Sequence, residues 1–583
     1  MKHSPLRALP ALMLAAAMFL ASGCGSKGSA SGSSAPAPAQ TAAATTAPAV
    51  KRPATSPPAP APVSFSMPED GIFSDPVWRA DYAYADMTYE HYTPERFDDF
   101  TAPVLYMAEN GGTPQQFEDA ANALTDELYY VLTLDALISL RSLSDPADEA
   151  LSEELLYTDG LAAVVSDAYW QALHTLAVSP NGFLLYGLFT PEEIHVFEDY
   201  EPVTEEGLSL AQQEQSLENE YYRIMASDEP DPDALTDIYL QLVELRKTVA
   251  ELAGYDSFSD YAYRERFYRD YGPAEMQKVW NYVKRYIAPL AAQYRRQVAE
   301  EEYGLYYLGA VDCRPEAILS AAEGILTEFS GELYRAFCYL LQYDLYDISF
   351  DLRKANLGFT ISLDYYNEPF IFNAPYDDYT DYTDFFHEFG HFSNAYYTTS
   401  DLLFGLMDED LSELQGQGME IMMTHWYDRL FGNLSRAARN ALLMTLADRA
   451  IECTMMDEFQ QRVYELPPDK LDGEQLNALY ALLYEEYGLE SYPGYELDWL
   501  GDSQAFEVPF YSSSYTLSAV GALELYRMTT ADWEKARKTY LTLCAMDTEQ
   551  YYLSEALRET GMMDVFSADS YAAVAEVLRG AWE

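Results

Sequence analysis

The sequence predicts a mainly α-helical fold carrying one small β-hairpin. Three observations lead there. Apolar residues recur at three- and four-residue spacing along much of the chain, capping residues and glycines bracket those stretches, and one short stretch alternates apolar with polar side chains. The segment after Asp231-Pro232 shows the first two features. An N-cap residue followed by Pro at the first helical position is a start signal. Leu235, Ile238, Leu242, Leu245, Val249 and Leu252 then share one face, and Gly254 follows as a stop. This is an amphipathic helix of about six turns. Similar periodicity runs through 117–143, 274–301, 430–465 and 473–487, and there is no short internal repeat.

The alternating stretch is 358–364, Gly-Phe-Thr-Ile-Ser-Leu-Asp. Residues 365–368 read as a turn, and Pro-Phe-Ile-Phe-Asn at 369–373 returns as a second strand. A strand in this place can hold an extended peptide by main-chain hydrogen bonds. The alternation alone is equally compatible with a hairpin that only packs.

The chain has 583 residues, 49% of them hydrophobic, so it can bury a large core. Its 95 acidic and 35 basic residues leave a formal charge of -60. That excess excludes nucleic acid as a partner, because a phosphate backbone is repelled. Lys2 and Arg7 precede an apolar run at 9–20 that is too short to span a bilayer and ends in Leu-Ala-Ser-Gly-Cys24. The pattern is that of a bacterial lipoprotein signal, with cleavage before Cys24 and lipidation of its thiol. Residues 25–63 are nearly all Ser, Ala, Pro, Thr and Gly, a composition that cannot bury enough apolar surface to order itself. The expected organisation is a signal peptide at 1–23, a lipidated Cys and disordered linker at 24–63, and a helical body at 64–583, divided into 64–250 and 251–583. The mature chain is then exported and anchored by lipid to the outer face of the cytoplasmic membrane or the cell envelope. Cys313, Cys338, Cys453 and Cys544 form no Cys-x-x-Cys pair. Export permits disulfides among them, but spacing names no partners.

The chemistry concentrates at His387-Glu-Phe-Gly-His391. On a helix over 381–397 the two histidines lie four residues apart, and both imidazoles project from nearly the same face. Two neutral imidazoles so placed can share one zinc ion, while Glu388 reaches an attacking water without binding the metal. Histidine is scarce, seven in the chain, which makes a chance match improbable. Zinc needs a third protein ligand. Glu413 and Glu420, seven apart on a second helix, compete for the place; one can bind metal while the other supports a histidine ring. His425 falls on another face and reads as a packed or surface histidine.

These residues resemble the thimet oligopeptidase and oligoendopeptidase F family of zinc peptidases. The likeness rests on the His387–His391 motif with Gly at its fourth position, the Glu413-x6-Glu420 spacing, and the later block Phe506-Glu-Val-Pro-Phe-Tyr511-Ser-Ser-Ser-Tyr515. Gly254-Tyr-Asp-Ser-Phe258 to Arg269-Asp-Tyr-Gly-Pro273 is also similar to the segment before the family's catalytic half. The resemblance implies a large helical, two-lobed metallopeptidase with a deep substrate channel and a small β-sheet near the active site. It implies one Zn2+ held by His387, His391 and Glu413, with Glu388 as general base. Glu420 would stand behind the ligands, and Tyr511 and Tyr515 would hold substrate and the oxyanion. The partners are then short peptides, and the protein a monomer.

Three positions depart from the family pattern. Gln504 stands where relatives carry a histidine, and it can donate a hydrogen bond but carries no charge. Losing one oxyanion donor costs on the order of 10²–10³ in rate. Asn394 replaces a histidine three residues past the second ligand, and Ser518 replaces a tyrosine of some relatives. These departures open a second function class, a peptide-binding lipoprotein with a retained but catalytically weak metal site.

Overall fold

Local chemistry sets where the helices begin. In the computed structural model, helix α1 (Pro114–Ser144) starts at Thr113, whose side chain and Gln116 form a reciprocal capping box. Helix α2 (Glu149–Ala177) starts at Asp148, whose carboxylate accepts from Ala150 and Leu151. Helix α3 (Pro232–Leu252) has Asp231 as N-cap, with Pro at the first turn, and Gly254 follows at φ +84°. Five of the six apolar positions expected on α3 are buried. Leu252, in the last turn, is 57% exposed. The structure describes residues 70–583 except 78, 201–203, 228, 299–310, 399–406 and 468–469. The expected signal peptide, Cys24 and the 25–63 linker lie outside the described residues.

Two expected helices are interrupted. The 274–301 pattern is a helix at Pro273–Tyr282, a π turn at Val283–Ile287 and a helix at Ala288–Val298. The 430–465 pattern is split at Gly432, whose φ of +56° ends the helix Tyr427–Phe431. The chain then continues through a 3₁₀ turn, Gly432–Leu434. An apolar stripe persists across such a break, so periodicity alone does not show it. The 473–487 pattern is one helix, Gly473–Glu486.

The buried apolar side chains form two clusters. A smaller one gathers the early helices through residues such as Phe97, Phe117, Leu173 and Phe197. A larger one takes in Met87, the C-terminal half of α1 and elements from there to the last helix, including the buried face of α3. Four elements of the larger cluster frame the histidine motif. They are helix α4 (Thr380–Tyr397), α5 (Glu409–Met423), α6 (Ser435–Glu465) and α7 (Ser512–Ala531). Helix α5 packs between α4 and α7, and α6 packs on α7.

A small sheet borders α4. Strands β2 (Gly358–Leu363) and β3 (Glu368–Asn373) pair antiparallel, with Gly358 opposite Asn373 and Leu363 opposite Glu368. This is the expected hairpin. A third strand, β1 (Tyr346–Asp347), joins β3 in parallel, giving the order β1-β3-β2. Two residues are too few to show a pattern, so β1 has no sequence signal. Strand β2 alternates half-buried and buried residues, whereas every residue of β3, the central strand, is buried. Among the described residues no helix is long and apolar enough to cross a membrane. Among the described residues, Cys313, Cys338, Cys453 and Cys544 form no disulfide.

Candidate metal centre

Helices α4 and α5 cross at their glycines. A side-chain carbon on Gly390 would come within 2.7 Å of the Gln415 carbonyl oxygen. One on Gly416 would come within 2.8 Å of His387 Nε2 and 2.9 Å of His391 Nε2. The bare backbone of α5 therefore lies directly against both imidazoles. The sequence reading missed Gly416. Its signal was the Gly416-Gln-Gly418 run, which weakens a helix and marks close backbone approach.

The donor atoms converge. His387 Nε2 and His391 Nε2 are 3.2 Å apart, and Glu413 Oε2 is 3.5 Å from His387 Nε2. All three ligand atoms lie within 4.8 Å of one another. Ligand atoms about 2.0–2.1 Å from a tetrahedral zinc stand roughly 3.3 Å apart. The hydrogen bonding also fits a cation. His387 Nδ1 donates to Glu420 Oε1 at 2.7 Å, which turns the Nε2 lone pair of the neutral ring toward His391. His391 Nδ1 lies 3.2 Å from Ser412 Oγ. Glu413 Oε2 is buried with no hydrogen-bond partner, and such an oxygen is costly unless a cation faces it. Glu413 is thus the carboxylate at the convergence point, and Glu420 stands behind the His387 ring. Spacing had left that choice open.

Electrostatics agree with a neutral His391 imidazole beside an ionised Glu413 carboxylate. Burial and the neighbouring His387 lower the His391 imidazole to about 4. Burial raises the Glu413 carboxyl, but the facing imidazoles outweigh it and hold the group below its ordinary value. Burial pushes the Glu388 carboxyl up to about 8, against the pull of His387 and Thr360. Thr360 Oγ, on β2, donates to Glu388 Oε2 at 2.9 Å and lies 3.0 Å from the Glu388 carbonyl oxygen. Thr360 is a second residue the sequence reading missed as part of the site.

Tyr511, just before α7, donates from its hydroxyl to Glu413 Oε1 at 3.0 Å. The Tyr515 ring packs edge-on against Tyr511, with centroids 5.3 Å apart. Both expected tyrosines therefore belong to the ligand neighbourhood. A small cavity of about 30 Å³ lies beside His387 and Glu388 and is lined also by Gly358, Asn373, Tyr376 and Asp384.

The departing positions have local partners. Asn394 Nδ2 donates to the Cys544 and Met546 carbonyls, tying α4 to the end of helix α8 (Trp533–Ala545). Ser518 Oγ bonds back to the Ser514 carbonyl within α7 at 2.7 Å. Gln504 sits half-buried in a short helix, Ser503–Glu507, that packs on the helix Glu205–Met225. His425 is exposed and stacks on Trp533 with centroids 3.9 Å apart, as a packed surface histidine.

No family model matches the chain. No curated protein matches it. Solved structures do. A PZ peptidase A, solved with an inhibitor, superposes with a TM-score of 0.70 at 20% identity, over 85% of this chain and 98% of its own. A chain from Bacillus anthracis str. Ames, designated an oligoendopeptidase F, gives 0.68 at 18% identity over 86% and 98%. Oligoendopeptidase F from Enterococcus faecium gives 0.52 at 14% identity over 84% and 97%. At these identities the likeness shows a shared fold, and it extends over nearly the whole length of each of these chains.

Proposed function

We propose that this chain is a zinc-dependent endopeptidase that hydrolyses short peptides. One observation carries the reading: His387, His391 and Glu413 converge with a partnerless carboxylate oxygen, and Glu388 stands beside them on a cavity. The fold shared with solved peptidases supports it. A single zinc ion, when bound, supplies Lewis acidity to the scissile carbonyl and to the attacking water.

The chain's residues do the rest. Glu420 fixes the His387 ring through Nδ1, and Tyr511 holds one oxygen of Glu413 so that the other faces the site. Glu388 takes the proton of the attacking water and passes it to the leaving amine. Its burial favours the protonated form, which suits the second half of that exchange. Among the described residues, strand β2 has a strand partner on one side only. Because Ile371 N–H bonds to Leu345 across the sheet, strand alternation turns the main-chain groups of Gly358, Thr360 and Ser362 to the free edge. An extended peptide adding there lies beside Glu388. On this reading Tyr511, bonded to Glu413, and Tyr515, packed on Tyr511, support the substrate and its oxyanion.

The test is Glu388→Gln. The variant should bind zinc like the parent, by metal analysis, and lose about 10²–10⁴ in turnover of a mixed peptide digest read by mass spectrometry. Equal rates in the two proteins refute the mechanism. Zinc with saturable peptide binding but no cleavage by the parent would point instead to a peptide-binding protein.

A further inference from the structure

Arg269 belongs to the Arg269-Asp-Tyr-Gly-Pro273 segment, which the mechanism above does not use. Its side chain is 2% exposed. The guanidinium lies among the rings of Tyr263, Phe267 and Tyr271, 4.5–5.6 Å from their centroids. Its hydrogen bonds go to one place. Nη2 donates to the Phe510 carbonyl at 3.0 Å and to Ser514 Oγ at 2.9 Å. These residues immediately precede Tyr511 and Tyr515. On its other side, Nε is 3.6 Å from Asp410 Oδ1, and Tyr271 donates to Asp410 Oδ2 at 2.8 Å. Asp410 lies three residues before Glu413 on α5, hence on the same side of the helix.

Phe510 sits at φ +75°, a left-handed conformation that a bulky residue adopts only under constraint. Gln460 Oε1 accepts its N–H at 2.6 Å, and Arg269 takes its carbonyl. Two buried side chains thus grip both polar groups of the strained residue that sets where Tyr511 begins. A buried guanidinium is costly to keep for packing alone. Nη1 makes no hydrogen bond, so the bonds made do not maximise its own satisfaction. They join the turn carrying Tyr511 to the helix carrying Glu413.

We infer that Arg269 is a positioning residue of the metal centre, clamping the Phe510 turn against Asp410 so that Tyr511 stays hydrogen-bonded to the ligand Glu413. The inference rests on the zinc reading above. It adds a control on the ligand from a segment more than a hundred residues away in sequence.

The test is a double-mutant cycle on the full chain. Zinc affinity is read by competition with a chromophoric chelator, alongside kcat, KM and thermal melting. Arg269→Lys keeps the charge but loses the planar fork. It should weaken zinc about 10–100-fold and lower kcat with KM little changed. Tyr511→Phe should weaken zinc by a similar factor. Adding Arg269→Lys to Tyr511→Phe should cost little more, because both act through one contact. Full additivity of the two losses, or parental zinc affinity with only a lowered melting temperature in Arg269→Lys, overturns the inference. Should Arg269→Lys fail to fold, Ser514→Ala removes one acceptor of the same clamp. A several-fold zinc loss that disappears in the Tyr511→Phe background supports the role, and unchanged affinity overturns it. The parent's own titration separates the two levels: a parent that binds no zinc refutes the metal reading itself, whereas a parent that binds and an Arg269→Lys that binds equally refutes only the clamp.

Discussion

At the scale of single residues, the site depends on what stands behind each ligand. The Glu420 carboxylate selects the tautomer of His387 and aims its ring. Glu420→Gln should therefore weaken zinc about 10–100-fold while leaving circular dichroism unchanged, as measured by chelator competition. Equal zinc affinity would remove Glu420 from the site. Asp364, at the hairpin turn, answers to a different force. Burial pushes its carboxyl up to about 7. The folded state then holds the proton more tightly than the unfolded chain, whose carboxyl titrates near 4. This group favours folding most below that value, and its contribution is lost as pH rises through about 7, by up to about 4 kcal/mol. Asp364→Asn should remove that part of the slope. The check is urea melts of parent and variant from pH 4 to 8, and parallel stability curves would refute it.

At the scale of elements, start signals carried more information than stripes. Asp231 caps α3 where its residue type and the following Pro indicated, because capping involves neighbours in sequence. Asp231→Ala should cost about 1 kcal/mol in a denaturant melt. No change would mean that tertiary packing alone holds that end. The 430–465 stripe concealed a break because apolar faces on both sides of Gly432 bury in the same cluster. Strand β3, read as a plain apolar return strand, is buried at every position. The glycine-to-glycine crossing of α4 and α5 explains why the histidine motif carries Gly390. Residue types with no side chain were the trace of a contact that no side chain could tolerate.

At the scale of the whole molecule, the chain carries a formal charge of -60 and an N-terminal pattern that motivates a proposal about its location. We propose that Cys24 carries a lipid and tethers a helical body through a linker rich in Ser, Ala and Pro. Cys24→Ala should move the protein from the membrane fraction to the soluble fraction, followed by fractionation and palmitate labelling. An unlabelled parent that is soluble would refute the anchor. Nothing in the anchor's chemistry touches the metal centre, so the two readings stand or fall separately.

The sequence by itself determined the elements whose causes are local. These are the helix that presents His387 and His391 on one face, the hairpin before it, and the capped starts. It also held the resemblance that pointed to Glu413 and to the tyrosine block. Only the tertiary structure decided between Glu413 and Glu420, since both share a helix face and only the crossing with α4 shows which oxygen meets the imidazoles. It alone brought Thr360 to Glu388, Tyr511 to Glu413 and Arg269 to Phe510, and placed β1 beside β3. Each of these joins groups far apart in sequence, and their meeting depends on how buried apolar faces pack, which no spacing along the chain encodes.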